Sequence, residues 1–264
     1  MPIIIKSRRE IEMMRRCGHI AAQTLKKMEA AVRPGVTTAE INQIAKIELQ
    51  KHGAVGLAKN YPTYKPGEGY PADTCISVNE EIVHGIPGPR RLKEGDIVTL
   101  DVTPYLDGYC ADTAITVPVG TISPQAQKLI DVTRESINLA LSLIKPGKLW
   151  SEIARLIQHK VESNGFNVVR EFVGHGVGKR MHEDPKVPNF VTAEQLRSDF
   201  KLRQGMTLAI EPMVVIGDRE VLQLEDAWTI ITADRSMAAH FEHTIAVTEN
   251  GVDILTDGRA TWGL

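Results

Sequence analysis

Two carboxylates in the segment LKEGDIVTLDVTPYLDGYCADT, residues 92–113, have the types and spacing to bind a cation. Residues 97–103 show the period-two pattern of a strand that carries Asp101. A two-residue Asp-Gly turn at 107–108 would return the chain so that Asp112 lies diagonally across from Asp101 on one face. Such neighbours are roughly 7 to 8 Å apart, and two ionised carboxylates this close on a half-buried face repel each other unless a counter-charge is present. The pair therefore favours a shared cation over the alternative of a turn aspartate and a surface salt bridge.

Two glutamates in the second half of the chain have similar settings. Glu211 follows the apolar run 206–210 and so ends a strand that should be buried, while Glu242 lies at the start of a predicted strand over 241–247. A buried carboxylate needs a cation or strong hydrogen-bond donors. Because four negative charges in one cleft do not ionise together without metal ions, the acidic residues predict a metal site.

Three histidines lie near these carboxylates in sequence motifs. His175 stands in GHGVG, which we interpret as a glycine-lined loop after a strand over 168–173. His84 stands in IVHGIP and His182 in MHEDP. Taken alone, each of the three is more often a surface residue than a ligand, since that is the common role of a single loop histidine. The remaining histidines, for which no catalytic role is predicted, are His19, His52, His159, His240 and His243.

An oxygen-rich site with one imidazole suits manganese, iron, cobalt or zinc better than copper or a thiolate-bound zinc. Two ions could activate a water and polarise a carbonyl or phosphoryl oxygen. The residues alone thus indicate a dinuclear hydrolase and leave the bond open, so a phosphoesterase remains an alternative.

Composition narrows the class of protein further. The chain has 264 residues, 42% of them hydrophobic, and a net charge of -2 without a long basic run, which gives no reason to expect nucleic acid or an anionic membrane as a partner. The three cysteines show no CxxC spacing, so neither a disulfide framework nor a cysteine zinc site is indicated, and a reduced cytosol is expected. No signal peptide or membrane span is predicted.

The elements that must position the acidic residues are predicted to form two similar halves, each with helices followed by strands. Capping boxes at Ser7 and at Thr37 start two helices, and Ser123-Pro124 starts a third. Pro34 and Gly35 recur as Pro146 and Gly147, and other short matches follow in the same order, which makes Glu211 the counterpart of Asp101. We predict one α+β domain over residues 1–264, mostly antiparallel, whose pseudo-repeat halves (about 7–118 and 123–255) share a sheet.

The motifs together closely resemble the methionine aminopeptidase family. IVHGIP, the hairpin DVTPYLDGYCADT, GHGVGKRMHEDP, IEPM and FEHT agree in order and cover nearly the whole chain. The short interval between His175 and Glu211 leaves no room for the helical insertion of type II members, so the chain looks like type I. The resemblance implies the pita-bread fold with a dinuclear metal site in the centre, and removal of the initiator methionine from nascent chains when the second residue is small.

The resemblance also implies a set of metal ligands. Asp101 would bind one metal, Asp112 and Glu242 would bridge, and His175 and Glu211 would complete the second site. Two divalent ions, drawn from Co, Mn, Fe, Zn or Ni, would activate the water that attacks the scissile carbonyl.

Further roles implied by the resemblance concern the substrate. Glu211 would also handle the proton of the attacking water, His84 would contact the scissile amide nitrogen, and His182 would stabilise the carbonyl oxygen. The residues that match the family's methionine pocket are Tyr70, Cys75 and Trp228, with Met213 nearby. Two departures are the long segment KNYPTYKPGEGYP around Tyr70 and Met181 in place of a common aromatic.

The resemblance further implies a cytoplasmic monomer that acts on nascent N-termini at the ribosome, with no nucleic-acid substrate and no membrane. Two alternatives stay open. One is Xaa-Pro aminopeptidase or prolidase activity, although such relatives usually carry a large N-terminal domain, for which a helix starting at Ser7 leaves no room. The other is a binding protein of the same fold without metals, against which the intact ligand set argues.

Overall fold

The computed structural model describes residues 2–62 and 69–258. The helices within these ranges are α1 (Arg8–Ala31), α2 (Thr38–Lys51), α3 (Pro124–Leu143), α4 (Trp150–Glu162) and α5 (Ala193–Arg197). The strands of the first half are β1 (Val55–Gly56), β2 (Cys75–Val78), β3 (Glu81–Val83), β4 (Ile97–Val102), β5 (Pro104–Leu106), β6 (Tyr109–Cys110) and β7 (Thr113–Pro118). Those of the second half are β8 (Asn167–Val168), β9 (Gly174–Gly176), β10 (Glu183–Val187), β11 (Thr207–Ile210), β12 (Met213–Val215), β13 (Val221–Gln223), β14 (Ile230–Thr232), β15 (Ala238–His240), β16 (Glu242–Val247) and β17 (Val252–Ile254).

Local capping explains where the long helices begin. The Ser7 hydroxyl accepts from the backbone of Glu10, whose carboxylate accepts from the Ser7 backbone in return, and Thr37 with Glu40 repeats this arrangement at α2. Ser123 caps α3, which has proline in its first turn. The helix starts predicted from these residues are confirmed.

The central sheet joins strands from both halves of the chain. Its order is β10-β9-β11-β16-β7-β4-β2, with β17 also paired to β16, and every pairing is antiparallel. The halves meet where β7 pairs with β16 through Glu242 opposite Ala114. This confirms the predicted mostly antiparallel α+β class, whereas the repeat boundaries stay a prediction.

Each half of the chain contributes helices that pack against its own strands of the central sheet. Apolar residues of α1 and α2, such as Leu25 and Ile41, pack in one cluster with Leu100 of β4. Residues of α3 and α4 pack in a second cluster with β11 and β16, for example Ile153 with Leu208. These two clusters support the strands that carry the site.

The hairpin that carries the aspartates has the predicted register. Asp101 pairs with Ala114 across β4 and β7, and Leu106 pairs with Tyr109 beside the turn, so Asp112 is the diagonal neighbour of Asp101. The strand is interrupted at Thr103, because β5 and β6 leave the central sheet and form a separate one, in which β5 pairs with both β1 and β6. Proline at position 104 has no N–H for a central ladder, which accounts for the break.

Two predictions around His175 were wrong. Of the predicted strand over 168–173, only Val168 lies in a strand (β8), and His175 lies in β9 rather than in a loop. Strand β9 is paired on both sides, by β10 and β11. A Cβ atom at Gly174 or Gly176 would overlap backbone oxygens of these neighbours, so the glycines do allow close backbone approach, although between paired strands and not in a loop.

No helix within 2–62 and 69–258 is long and apolar enough to cross a membrane.

Candidate metal centre

The predicted ligands form a band, called the row below, across the neighbouring strands β4, β7, β16, β11 and β9. Within it, Asp112 and His175 lie two residues along the strands from the level of Asp101, Glu242 and Glu211. Asp101 is opposite Ala114 of β7, and Ala114 is opposite Glu242 at the start of β16. The next pair on the far side is Ile210 with His243, which places Glu211, one residue on, at the level of Glu242. His175 in β9 is opposite Ala209 of β11. Antiparallel register therefore brings together carboxylates that are far apart in sequence.

The side chains of this row converge on one cavity of about 290 Å³. Ligand atoms of Asp112, His175 and Glu242 all lie within 4.8 Å of one another. His175 Nε2 lies 3.9 Å from Asp112 Oδ2 and 3.4 Å from Glu211 Oε1. Asp101 lines the same cavity. The structure thus brings all five predicted ligands together.

The charges in the row lack a counter-cation among the described residues, since no lysine or arginine lines the cavity. Burial raises the pKa of all four carboxyls, and the neighbouring Asp112 carboxylate raises the pKa of Asp101, Glu211 and Glu242 further. Glu242 Oε1 is buried without a hydrogen-bond partner. An oxygen in this position is the donor a divalent ion would use, so the residues fit a metal site.

His175 has the protonation and orientation of a metal ligand. Burial lowers its pKa to about 4, so the imidazole is neutral near pH 7. Nδ1 lies 2.9 Å from the carbonyl oxygen of Gly176 and must donate to it, because a carbonyl only accepts. The lone pair of Nε2 therefore faces the carboxylates, which is the usual arrangement of a ligating histidine.

The two other predicted histidines border the same cavity. His84 follows β3 in a left-handed backbone conformation (φ 60°), and its ring meets Phe172 edge to face at 5.7 Å between centroids. His182 stands at the mouth, 4.3 Å from His175 between ring centroids. The hydroxyl of Tyr61 lies 2.6 Å from His182 Nδ1.

The sequence model of Metallopeptidase family M24 matches residues 12–249. The chain belongs to this family. Methionine aminopeptidase 1 of Bacillus subtilis is 47% identical over 254 residues, covering 96% of this chain and 99% of that protein. Methionine aminopeptidase of Escherichia coli is 44% identical over 259 residues, covering 97% and 94%.

Solved structures agree with this membership. The crystal structure of methionine aminopeptidase from Thermotoga maritima matches with a TM-score of 0.91 at 44% identity, covering 97% of this chain and 99% of that chain. Prolidase from Pyrococcus furiosus matches with a TM-score of 0.75 at 21% identity, which shows a shared fold only. The predicted pita-bread fold and the resemblance to methionine aminopeptidases are confirmed, and the chain is a hydrolytic enzyme of the M24 class that binds divalent metal.

Beside the carboxylates, this M24 metallopeptidase has an apolar wall. Tyr70, Cys75 and Trp228 belong to one cluster, in which Tyr70 meets Trp228 edge to face at 5.2 Å. The Tyr70 hydroxyl donates to the carbonyl oxygen of Gly85 at 2.8 Å, so its ring is fixed. Burial raises the pKa of Cys75, so it is present as a thiol and not as a metal-binding thiolate. Met181 and Met213 also line the cavity. Residues 63–68 of the long segment before Tyr70 lie outside the described part of the chain.

Some residues of the M24 site were missed by sequence reasoning. Thr103 donates to Asp112 Oδ1 at 2.6 Å, and Tyr61 contacts His182. His240, to which no role was given, lines the cavity with Nε2 3.7 Å from Glu211 Oε2. Strand alternation gave no signal for His240, because it ends β15 of one sheet while Glu242 begins β16 of another.

Proposed function

We propose that this enzyme removes N-terminal methionine from polypeptides whose second residue is small. The observation that carries the proposal is the meeting, in one cavity, of the metal-ligand row with the apolar wall of Tyr70, Cys75 and Trp228. Four carboxylates and a neutral imidazole suit divalent ions, and the wall is suited to an unbranched thioether side chain. The methionine aminopeptidase relatives support this substrate over the Xaa-Pro alternative.

We assign two divalent ions to the row, which Asp101, Asp112, His175, Glu211 and Glu242 together would hold. The donor set admits cobalt, manganese, iron, zinc or nickel. Bound there, the ions would lower the pKa of a water and polarise the scissile carbonyl. Side chains of the protein carry out the proton transfer and bind the substrate.

The proton and the substrate are handled by three side chains. Glu211 takes the proton of the attacking water, because its Oε1 faces His175 while Oε2, beside His240, keeps a lone pair for proton transfer. His182, at the mouth of the cavity, donates to the carbonyl oxygen as negative charge develops on it. His84, at another edge of the cavity, holds the scissile amide nitrogen.

Methionine selectivity comes from the wall of the cavity. A methionine side chain is flexible and polarisable and makes favourable contacts between its sulfur and aromatic rings. Tyr70 and Trp228 offer such rings, and their edge-to-face contact keeps them in place. A β-branched or charged first residue would lose these contacts.

The substrates in the cell would be N-termini of newly made chains, met at the ribosome by a cytoplasmic monomer. In support, Cys17, Cys75 and Cys110 are all free, as in a reducing compartment.

A peptide panel tests the function. Protein is reconstituted separately with Mn²⁺, Fe²⁺, Co²⁺, Ni²⁺ or Zn²⁺ and given Met-Gly, Met-Ala and Met-Leu peptides, Ala-Pro dipeptide and a phosphomonoester. The product released from each substrate is measured by mass spectrometry, which for the methionyl peptides is free methionine. Release from the Met-Gly and Met-Ala peptides, with little from Met-Leu, is expected. Cleavage of Ala-Pro instead would favour the Xaa-Pro alternative, and hydrolysis of the phosphomonoester alone would favour a phosphoesterase.

A further inference from the structure

We infer that His240 is a positioning residue for Glu211, whose free carboxylate oxygen it holds in the orientation needed for proton transfer. The inference rests on the proposed function of the same cavity. No motif pointed to His240.

The backbone of His240 is fixed from two sides. It is the last residue of β15 and pairs with Met213 of β12, which follows Glu211 by two residues. Its N–H donates to Thr116 Oγ1 at 2.8 Å, and the Thr116 hydroxyl donates to the His240 carbonyl at 2.9 Å. The Thr99 hydroxyl is 2.8 Å from the same Thr116 oxygen and, since Thr116 donates to His240, must donate to it. This clamp anchors the imidazole to the central sheet.

The imidazole itself has no hydrogen-bond partner. His240 is 2% exposed, and neither Nδ1 nor Nε2 has a bonded neighbour among the described residues. Leaving a buried donor unpaired costs free energy, so an unpaired group in a cavity wall points to a partner within reach. Glu211 Oε2 is that partner, 3.7 Å from Nε2. This separation is too short to hold a water between the two atoms and becomes a direct hydrogen bond after a small rotation of either side chain.

The two oxygens of Glu211 thus have different neighbours. Oε1 faces His175 Nε2 at 3.4 Å, on the side of the proposed metal ligands, and Oε2 faces His240. A hydrogen bond from Nε2–H to Oε2 would prevent the carboxylate from turning both oxygens towards the metal.

Two substitutions separate positioning from packing. His240→Leu removes both nitrogens and keeps most of the volume, while His240→Gln keeps an N–H donor at about the reach of Nε2. With a Met-Ala peptide, kcat of the leucine variant should fall at least about tenfold with KM changed less than about twofold, as expected for a group behind a metal ligand. The glutamine variant should recover most of kcat. Bound metal, measured by titration calorimetry, should be the same in all three proteins.

A second measurement needs no turnover. Long-range ¹⁵N–¹H correlation spectra of the zinc-loaded protein report which ring nitrogen of each histidine carries hydrogen, and the His240 signal is the one absent from His240→Gln. Hydrogen on Nε2 is expected. Hydrogen on Nδ1 would overturn the inference, because no donor would then face Glu211.

Measurements of kcat and of bound metal also test the positioning role of His240. Unchanged kcat in His240→Leu, or equal loss in both variants, would overturn positioning in favour of no role or of packing. Loss of metal in His240→Leu would make His240 a ligand instead. If the unmutated protein does not release methionine from any peptide, the proposed function fails, and the hydrogen position still tests the contact with Glu211.

Discussion

Asp112 shows how hydrogen bonds orient a carboxylate in this site. Its Oδ1 accepts from the Thr103 hydroxyl at 2.6 Å, and its backbone N–H donates to Thr244 Oγ1 at 2.7 Å. The Thr244 hydroxyl in turn donates to the Asp112 carbonyl at 2.9 Å. Thr103, between β4 and β5, and Thr244 of β16 therefore place Oδ2 towards His175 without a basic side chain.

Asp112→Asn keeps the shape of the side chain and removes its negative charge. We expect turnover to fall by at least about 100-fold, because a neutral amide binds two cations poorly between them. The circular dichroism spectrum should not change. Turnover equal to that of the unmutated protein would remove Asp112 from the metal site.

Tyr61 forms a hydrogen bond with Nδ1 of His182. If its hydroxyl donates to Nδ1, the hydrogen of the ring lies on Nε2, where it can reach a substrate carbonyl. Tyr61→Phe should therefore lower kcat several-fold, by about the strength of one hydrogen bond, with little change in metal content.

The matched control is Tyr109→Phe. In the unmutated protein the Tyr109 hydroxyl donates to Glu10 Oε1 at 3.1 Å, and Tyr109 does not line the cavity. Its kcat should be unchanged. Equal effects in the two variants would mean that Tyr61 acts through packing.

Among the elements, the segment before His175 and β9 itself were misassigned from the sequence. A glycine-rich segment predicts a loop when only local freedom is considered, yet here the missing side chains let three strands approach each other. The capping boxes of α1 and α2 were read correctly, since both partners of each box lie within one turn of helix. Local signals therefore predicted helix ends, and tertiary packing decided the strand.

Gly176→Ala tests the close packing of β9. An added Cβ would overlap the backbone oxygen of Asp184 in β10, so the strands must separate beside His175. We expect the free energy of unfolding to fall by roughly 1–3 kcal/mol and metal affinity to fall with it. Chemical denaturation and calorimetry measure the two effects.

Gly88→Ala is the control, because the nearest atom to its Cβ would be the oxygen of Ile86 at 3.8 Å. That variant should keep both stability and metal affinity. Normal metal affinity in Gly176→Ala would show that the spacing of β9 does not position His175.

For the whole molecule, the site exists because strands of two halves form one sheet. Asp101 and Asp112 belong to the first half, and they meet Glu211 and Glu242 only through the pairing of β7 with β16. The hairpin register and the acidic pairs could be predicted from the sequence, and the ligand set and its roles came from the family resemblance. His240 and Tyr61 could not be predicted, because their relation to Glu211 and His182 depends on contacts between distant segments.

Metal binding to the whole protein should depend on pH. The raised pKa values of Asp101, Asp112, Glu211 and Glu242 mean that protons occupy part of this site when metal is absent, so binding must release them. The neutral His175 contributes no proton at pH 6 to 8 because its pKa is about 4. Affinity should therefore rise from about pH 6 to pH 8.

Titration calorimetry in two buffers of different ionisation enthalpy measures the protons released at each pH. The number should decrease as pH rises, and Asp112→Asn should release fewer protons than the unmutated protein. Binding without proton release and with constant affinity would contradict the raised pKa values.

The most direct measurement is a crystal structure of the manganese-loaded protein with anomalous scattering recorded at the manganese edge. Two anomalous peaks are expected within the cavity, both within bonding distance of the row formed by Asp101, Asp112, His175, Glu211 and Glu242. Absence of peaks at full metal loading, or peaks bound by other side chains, would contradict the dinuclear site on which the proposed hydrolysis depends.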